Sequence, residues 1–222
     1  MEEGKLERPP KEIIEGFRDI PTSTISSVTD GMGISSIVNG LRPLASGVRI
    51  AGAAFTIKAI VGERGTYTAV DFPVGEVFEL MERDDILVCD MGGKEVSTMG
   101  GLGSLAMKLR GVAGMVVDGG ARDAEQIIRI GFPAYLRHVC ATSAVTRVKW
   151  LAINIPVEIG GVRVCPGDIV VADDTAVAIV PADKAREILQ QCQRREEFEA
   201  QFEAELRRGG TFLEVSRRLG IL

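Results

Sequence analysis

Short apolar runs set between helix-period segments constrain this chain more than any other feature. From Asp84 to Asp90 the sequence is apolar at its centre and bounded by charge, as expected of a strand buried on both faces. Val112 to Val117 reads as a second strand of the same kind. Between them Leu102, Leu105, Ala106 and Leu109 recur at i, i+3, i+4 and i+7, which predicts a helix that buries this face and ends before Gly111. A glycine turn at Gly119-Gly120 then leads to a helix over Ala124 to Ile130, closed by Gly131 and Pro133. Strand, helix, strand, turn and helix in this order build a parallel α/β layer with right-handed crossovers, and helix starts fall at the carboxyl ends of strands.

The flanking segments read differently. Residues 12–40 have a helical pattern with a break, ended by Gly31 and Gly33, and Val48 to Val61 is β-rich enough for one strand or a bent pair. Ile155 to Pro181 divides into short strands with glycine and aspartate turns, which predicts a second sheet. Residues 183–208 form a long exposed helix whose Ile188, Leu189, Phe198, Phe202 and Leu206 need a partner, either a neighbouring subunit or the chain's own core. We therefore expect one α/β domain over residues 1–182 and a C-terminal helical tail over 183–222 that packs on a neighbouring subunit. With 222 residues, 45% of them hydrophobic, the chain can bury one sizeable core.

A net charge of -5 argues against a nucleic-acid footprint, which needs a basic surface. No window approaches the roughly 18 apolar residues of a membrane span, and the charged Met1 to Lys5 start is unlike a signal peptide, so a soluble cytoplasmic protein is expected. Cys89, Cys140, Cys165 and Cys192 are widely spaced and His138 is the one histidine, a pattern for buried reduced thiols rather than a zinc cage or disulfide framework. His138 has no partner in a recognisable nucleophile motif, and neither Lys58 nor Lys94 sits in a context that demands a Schiff base.

The chemistry concentrates in Gly100-Gly101-Leu102-Gly103 and in Arg122-Asp123. Glycines at a helix start let the backbone approach a ligand, although the same run also serves as a flexible turn with a helix cap. Arg122 would face the positive end of a helix dipole, so something negative belongs beside it. That partner is either local (Asp123, Asp118 or Glu125) or a bound carboxylate gripped by the guanidinium and by amides of residues 100–103. Asp123 has two roles open to it, capping its helix or ligating a hard divalent cation, since Mg²⁺ keeps most of its water and needs few protein ligands. Asp118 ranks below it, because an aspartate before Gly-Gly is commonly a turn residue.

Taken together, Gly100-x-Leu102, the stretch from Gly111 through Arg122-Asp123, and Gly131-Phe132-Pro133-Ala134-Tyr135 resemble the family of class II 4-hydroxy-4-methyl-2-oxoglutarate aldolases and the regulator of ribonuclease activity A. Pro21 to Asp30 and Val162 to Pro181 extend the resemblance over most of the chain. It implies a swivelling β/β/α fold, homotrimers or homohexamers, and sites at subunit boundaries. For the aldolases it further implies Mg²⁺ or Mn²⁺ near Asp123, Arg122 on the pyruvyl oxygens, and the amides of Gly101, Leu102 and Gly103 on the pyruvate carboxylate. The long tail resembles the aldolases too, and its Glu196 or Glu199 would reach a neighbour's site.

One position departs from that pattern: an acidic residue stands twenty-one places before the arginine in the aldolases, and here the place is Gly101. In the family this acid helps position water on the metal. Asp118, Glu95 or a tail glutamate would have to compensate. The expected function is a metal-dependent lyase that frees pyruvate from a 2-oxo acid through a stabilised enolate, by retro-aldol cleavage, by oxaloacetate decarboxylation, or both. Decarboxylation takes no proton from a substrate hydroxyl, so an absent acid weakens the aldol direction more. The alternatives are a non-catalytic regulator that binds a ribonuclease or another protein, and a small-acid binder without turnover.

Overall fold

The structure is a computed structural model that describes residues 1–220. Its first part contributes β1 (Glu2–Glu3), α1 (Lys11–Phe17), α2 (Thr22–Gly31), β2 (Ile37–Val38), β3 (Arg42–Pro43) and β4 (Ile50–Val61). The central layer follows as α3 (Val74–Leu80), β5 (Asp85–Asp90), β6 (Ser97–Met99), α4 (Gly101–Arg110), β7 (Gly114–Ala121), α5 (Ala124–Ile130) and β8 (Ala134–Val139). After it come β9 (Val148–Ile153), β10 (Val157–Ile159), β11 (Val162–Val164), β12 (Ile169–Ala172), β13 (Val177–Val180), α6 (Ala185–Arg207) and α7 (Phe212–Leu219). No helix among the described residues is long and apolar enough to cross a membrane.

Burial on both faces shapes the sheet. Every residue of β5 and β7 is buried, and β4, β5, β7 and β8 run parallel side by side as the apolar runs require. Alternate side chains go opposite ways. Leu87, Cys89, Met115 and Val117 meet Val77, Phe78, Met107 and Ile127 from α3, α4 and α5. Ile86, Val88 and Val116 point the other way, into a second cluster with Val157, Ile159, Val162 and Val164 of the β10–β11 hairpin. A third cluster lies under α1, α2 and α6, where Ile13, Phe17, Ile25, Ile188 and Cys192 cover Ile169, Val171, Ala178 and Val180. Each such aliphatic side chain contributes about 1.5–3 kcal/mol by leaving water. The result is the mixed α/β fold with C-terminal helices that the sequence implies.

β4 changes partners along its length, and this curls the sheet. Ile50 to Ala53 pair antiparallel with β12, while Ile57 to Val61 pair antiparallel with β9 across a register shift at Lys58/Ala59. The predicted second sheet is therefore mostly absent: β12 and β13 join the main sheet through β4, and only β10 and β11 form a separate pair. The helical pattern of residues 12–40 is broken between Phe17 and Thr22 and ends at Gly31, as read from the sequence; only its last part differs, since Ile37–Val38 is a strand that pairs with β13.

Two details of the central layer also differ from expectation. The buried face of α4 is Gly101, Ser104 and Met107, whereas Leu102 and Leu109 are 78% and 79% exposed. Glycines stand at the start of α4 because neighbours crowd it: a Cβ on Gly101 would strike the Gln126 side chain of α5, and one on Gly103 would come within 2.6 Å of Met99 Sδ. Gly119-Gly120 is not a turn. β7 runs on to Ala121, between β6 and β8, and side chains at these two places would strike Met91 Sδ at 2.5 Å and Cys140 Sγ at 2.6 Å.

The first half of α6 takes its partner from its own chain, burying Ile188, Leu189 and Cys192. Cys89 and Cys192 are buried thiols, with burial pushing them up to about 12 and about 11 respectively; Cys140 and Cys165 are half-buried. Asp173 fastens α2 to this core. Its carboxylate accepts from Thr22 N at 2.9 Å, Thr22 Oγ1 at 2.7 Å, Thr175 N at 2.9 Å and Ala176 N at 3.2 Å. Burial alone would raise its pKa, but the donors from Thr22, Thr175 and Ala176 together outweigh burial and leave it below the ordinary carboxylate value. A depressed folded pKa means that this stabilisation is complete above the unfolded value of about 3.9 and disappears as pH falls through the folded one. Asp173→Ala should cost about 2 kcal/mol at neutral pH, because hydrogen bonds to a buried charge are lost. Urea denaturation should show that deficit shrinking as the pH is lowered through the acid range.

Candidate functional site

Where β7 ends, the chain turns at Arg122 and Asp123 into α5. Arg122 N donates to Met99 O at 2.9 Å, which ties this turn to the end of β6, immediately before α4. Asp123 occupies the position before α5 with φ 58° and ψ 38°, a left-handed conformation that aspartate tolerates better than most residues. A residue capping its own helix normally has an extended backbone. Asp123 does not, and its carboxylate makes no cap to α5. Instead Oδ2 accepts from Gly101 N at 3.1 Å, so the carboxylate of one helix start closes on the amide of the other.

That contact brings the sequence-predicted residues to one cleft of about 300 Å³, lined by Gly100, Leu102, Gly103, Arg122 and Asp123, with Met99, Phe72 and Val145 as apolar wall. Gly101 is not part of that lining: it is buried and its amide is engaged by Asp123 Oδ2, so the role expected of it toward a substrate carboxylate is left to the amides of Leu102 and Gly103. The N–H groups of Leu102 and Gly103 lie in the first turn of α4, where no intrahelical acceptor exists for them. Gly100 must lack a side chain, since a Cβ would come within 2.6 Å of Asp123 Oδ2 and 3.0 Å of Arg122 Nε.

Arg122 answers the question of its partner in part. Its Nε lies 3.5 Å from Asp123 Oδ2, an ion pair between side chains that remain 50% and 42% exposed. So open a pair contributes at most about 1 kcal/mol. Among the described residues the guanidinium makes no hydrogen bond to the chain, and Asp123 Oδ1 has no partner either. Other buried-end cations are committed: Arg8 forks onto Asp85 at 2.9 Å through both Nε and Nη2, and Lys58 reaches Asp90 at 2.6 Å.

The remaining candidates lie elsewhere. Asp118 pairs with Arg137 and accepts from Gly160 N at 3.0 Å, in a separate cavity with Lys58 and Asp90. There two cations and two carboxylates line up across neighbouring strands and hold the β10–β11 hairpin, a structural duty that keeps Asp118 from standing in for an acid at position 101. Glu95 is exposed outside the cleft lining. Glu196 bonds Thr24 at 2.5 Å and Glu199 pairs with Arg195 at 3.2 Å, so neither enters the cleft of its own chain. His138 Nε2 meets Gly93 O at 3.0 Å.

Sequence reasoning missed Gln126, which lines the cleft beside Arg122 and Asp123. A signal existed: Asp123-x-x-Gln126 has capping-box spacing. The left-handed turn cancels that box and leaves both side chains free of capping duty.

Among the described residues no three His, Cys, Asp or Glu side chains gather as a metal cage. Asp123 is the one carboxylate among the described residues that lines the cleft, and its Oδ1 has a free lone pair. Such a donor set fits an ion that takes one protein carboxylate and keeps its water, as Mg²⁺ and Mn²⁺ do, and does not fit zinc.

Comparison with known proteins places this geometry in context. A family model described as RraA-like, Aldolase/RraA, matches residues 22–179. A Halalkalibacterium halodurans protein that carries the provisional name 4-hydroxy-4-methyl-2-oxoglutarate aldolase is 29% identical over 83% of this chain and 84% of its own. RraAS2 of Streptomyces coelicolor, described as an unusual member of the RNase ES inhibitor RraA protein family, superposes with a TM-score of 0.80 at 29% identity, covering 88% of this chain and 98% of that one. An uncharacterized Pseudomonas syringae protein shares the fold, with a TM-score of 0.84 at 22% identity over 94% of this chain and 98% of that one.

The left-handed backbone at position 123 has its own consequence for substitutions. Asp123→Asn should leave stability within about 0.5 kcal/mol, because asparagine tolerates the same conformation, whereas Asp123→Ala should cost about 1 kcal/mol. Chemical denaturation of the two variants would decide it; equal stability of both would show that the turn relaxes.

Proposed function

This chain belongs to the RraA-like, Aldolase/RraA family, and we propose that within it the protein is a divalent-metal-dependent lyase that releases pyruvate from a 2-oxo acid. The observation that carries this reading is the unspent guanidinium of Arg122, half-exposed in a cleft beside Asp123 Oδ1 and the first-turn amides of α4. A cation at the positive end of a helix is unfavourable until an anion joins it. The arrangement suits a small carboxylate with an adjacent keto oxygen.

In this mechanism the amides of Leu102 and Gly103 take the substrate carboxylate, as helix starts do for anions. Arg122 donates to the keto side, where negative charge grows as the carbon–carbon bond breaks, and this is the term that accelerates the reaction. Asp123 holds the turn through Oδ2 and offers Oδ1 to the ion. When bound at Asp123, Mg²⁺ or Mn²⁺ would supply Lewis-acid charge to the substrate. The bond's electron pair passes to the enolate of pyruvate, which then takes a proton from water at carbon. Retro-aldol cleavage and decarboxylation of oxaloacetate share this course.

Several features support a site completed between copies in a homotrimer or homohexamer. Leu102 and Val145 are exposed at the cleft (78% and 55%), and Leu109 is exposed further along α4. Apolar surface of this kind is commonly covered by a partner. Glu196 or Glu199 of a neighbouring copy would then approach a cleft that they do not reach in their own chain. A non-catalytic regulator that binds a ribonuclease or another protein is the second reading, favoured by glycine at position 101 and by the similarity to the Streptomyces protein.

Pyruvate release from oxaloacetate and from 4-hydroxy-4-methyl-2-oxoglutarate separates the two. Turnover should require Mg²⁺ or Mn²⁺, vanish with EDTA, and fall about 10²–10³-fold in kcat for Arg122→Ala, as for loss of one donor to a developing oxyanion. Asp123→Asn should lose the metal response while keeping the fold. Equal rates in parent and variants would leave the regulator.

A further inference from the structure

Position 101 carries no side chain, yet the space is filled. A Cβ built on Gly101 would overlap the Gln126 carboxamide, with Gln126 Cγ only 2.8 Å away. Gln126 reaches there from the first turn of α5, is half-buried, and lines the cleft with Arg122 and Asp123. Among the described residues its carboxamide has no hydrogen-bond partner. Rotation about its last bond exchanges oxygen and nitrogen, so the group can donate or accept at the same place.

Resting on the lyase reading above, we infer that Gln126, seated where a side chain at position 101 would lie, makes the cleft selective for oxaloacetate-type dicarboxylic 2-oxo acids. Its amide N–H binds the carboxylate that leaves as CO₂. A carboxylate at this place would repel that group, and a cation would retain its charge and oppose departure. A neutral amide does neither: it orients the C3–C4 bond and lets go. That bond breaks, its pair becomes the pyruvate enolate, CO₂ departs, and a proton from water completes pyruvate. Retro-aldol cleavage needs more, because the C4 hydroxyl must give up a proton as the bond breaks. Gln126 cannot accept one. Gln126 is thus a specificity-determining residue, and the glycine at 101 is the condition for its placement.

The test measures pyruvate release with Mg²⁺ from oxaloacetate, corrected for spontaneous loss of CO₂, and from 4-hydroxy-4-methyl-2-oxoglutarate, alongside the oxalate dissociation constant by calorimetry. Oxalate mimics only the keto-acid end. The parent should favour oxaloacetate in kcat/KM, and Gln126→Ala should lose about tenfold or more on oxaloacetate while oxalate affinity moves less than about twofold. Gln126→Glu should lose more on oxaloacetate and narrow the preference. Gly101→Ala, which pushes the carboxamide aside, should match Gln126→Ala, and the double variant should be no worse than either, since both remove one interaction.

A parent that prefers the 4-hydroxy acid, unchanged rates in Gln126→Ala, a parallel fall in oxalate affinity, or additive losses in the double variant would overturn the inference and leave the lyase reading standing. A parent that binds oxalate but turns over neither substrate would bring down both.

Discussion

The hydrogen bond from Gly101 N to Asp123 Oδ2 joins the starts of two successive helices, beside the Arg122 N to Met99 O bond that ties the same two turns. One oxygen of one carboxylate satisfies an orphan amide at the start of α4, steadies the left-handed turn before α5, and stands beside Arg122. It forms because β7 continues four residues past Val117, where its apolar run ends, to Ala121. That continuation depends on Gly119 and Gly120, whose missing side chains make room for Met91, Cys140 and the backbone at Val96. A side chain at either place would force the strand apart and carry Arg122 and Asp123 away from α4.

The cleft is cheap to hold together. Its charged pair is open to water and adds little stability, while the three apolar clusters carry the fold. Elsewhere the chain uses charge differently. Asp85 takes a fork from Arg8, Asp118 is closed by Arg137 and a hairpin amide, and Asp173 is filled by four donors. Those carboxylates are saturated. Asp123 is half-saturated and Arg122 carries no hydrogen bond to the chain among the described residues, which is why attention belongs at this turn.

Much of the central layer could be read from the sequence, because strands buried on both faces are written as apolar runs and Gly131 closes its helix in the left-handed conformation expected there. The buried side of α4 could not. Leucine spacing marks a face that excludes water, and on α4 the buried positions are Gly101, Ser104 and Met107, while Leu102 and Leu109 point out. Gly119-Gly120 misled for a related reason: glycine signals a turn and a close approach with the same letters. β12 and β13 looked like a sheet of their own because strand partners far apart in sequence leave no local trace, and β4 reaches both β12 and β9 only by bending. In the cleft, Arg122, Asp123 and the glycines were legible as types at spacings. Gln126 was not, because capping-box spacing from Asp123 marks it only for a cap, and its place against Gly101 is a relation between two residues that only coordinates reveal.

The backbone at position 123 filters what can replace its aspartate. Left-handed geometry admits asparagine and glycine readily and resists most other side chains. Drift at this site therefore runs along a narrow corridor in which the negative charge disappears before the architecture is disturbed. A lineage can fall silent chemically and still inherit an intact scaffold, ready to be recruited for another task.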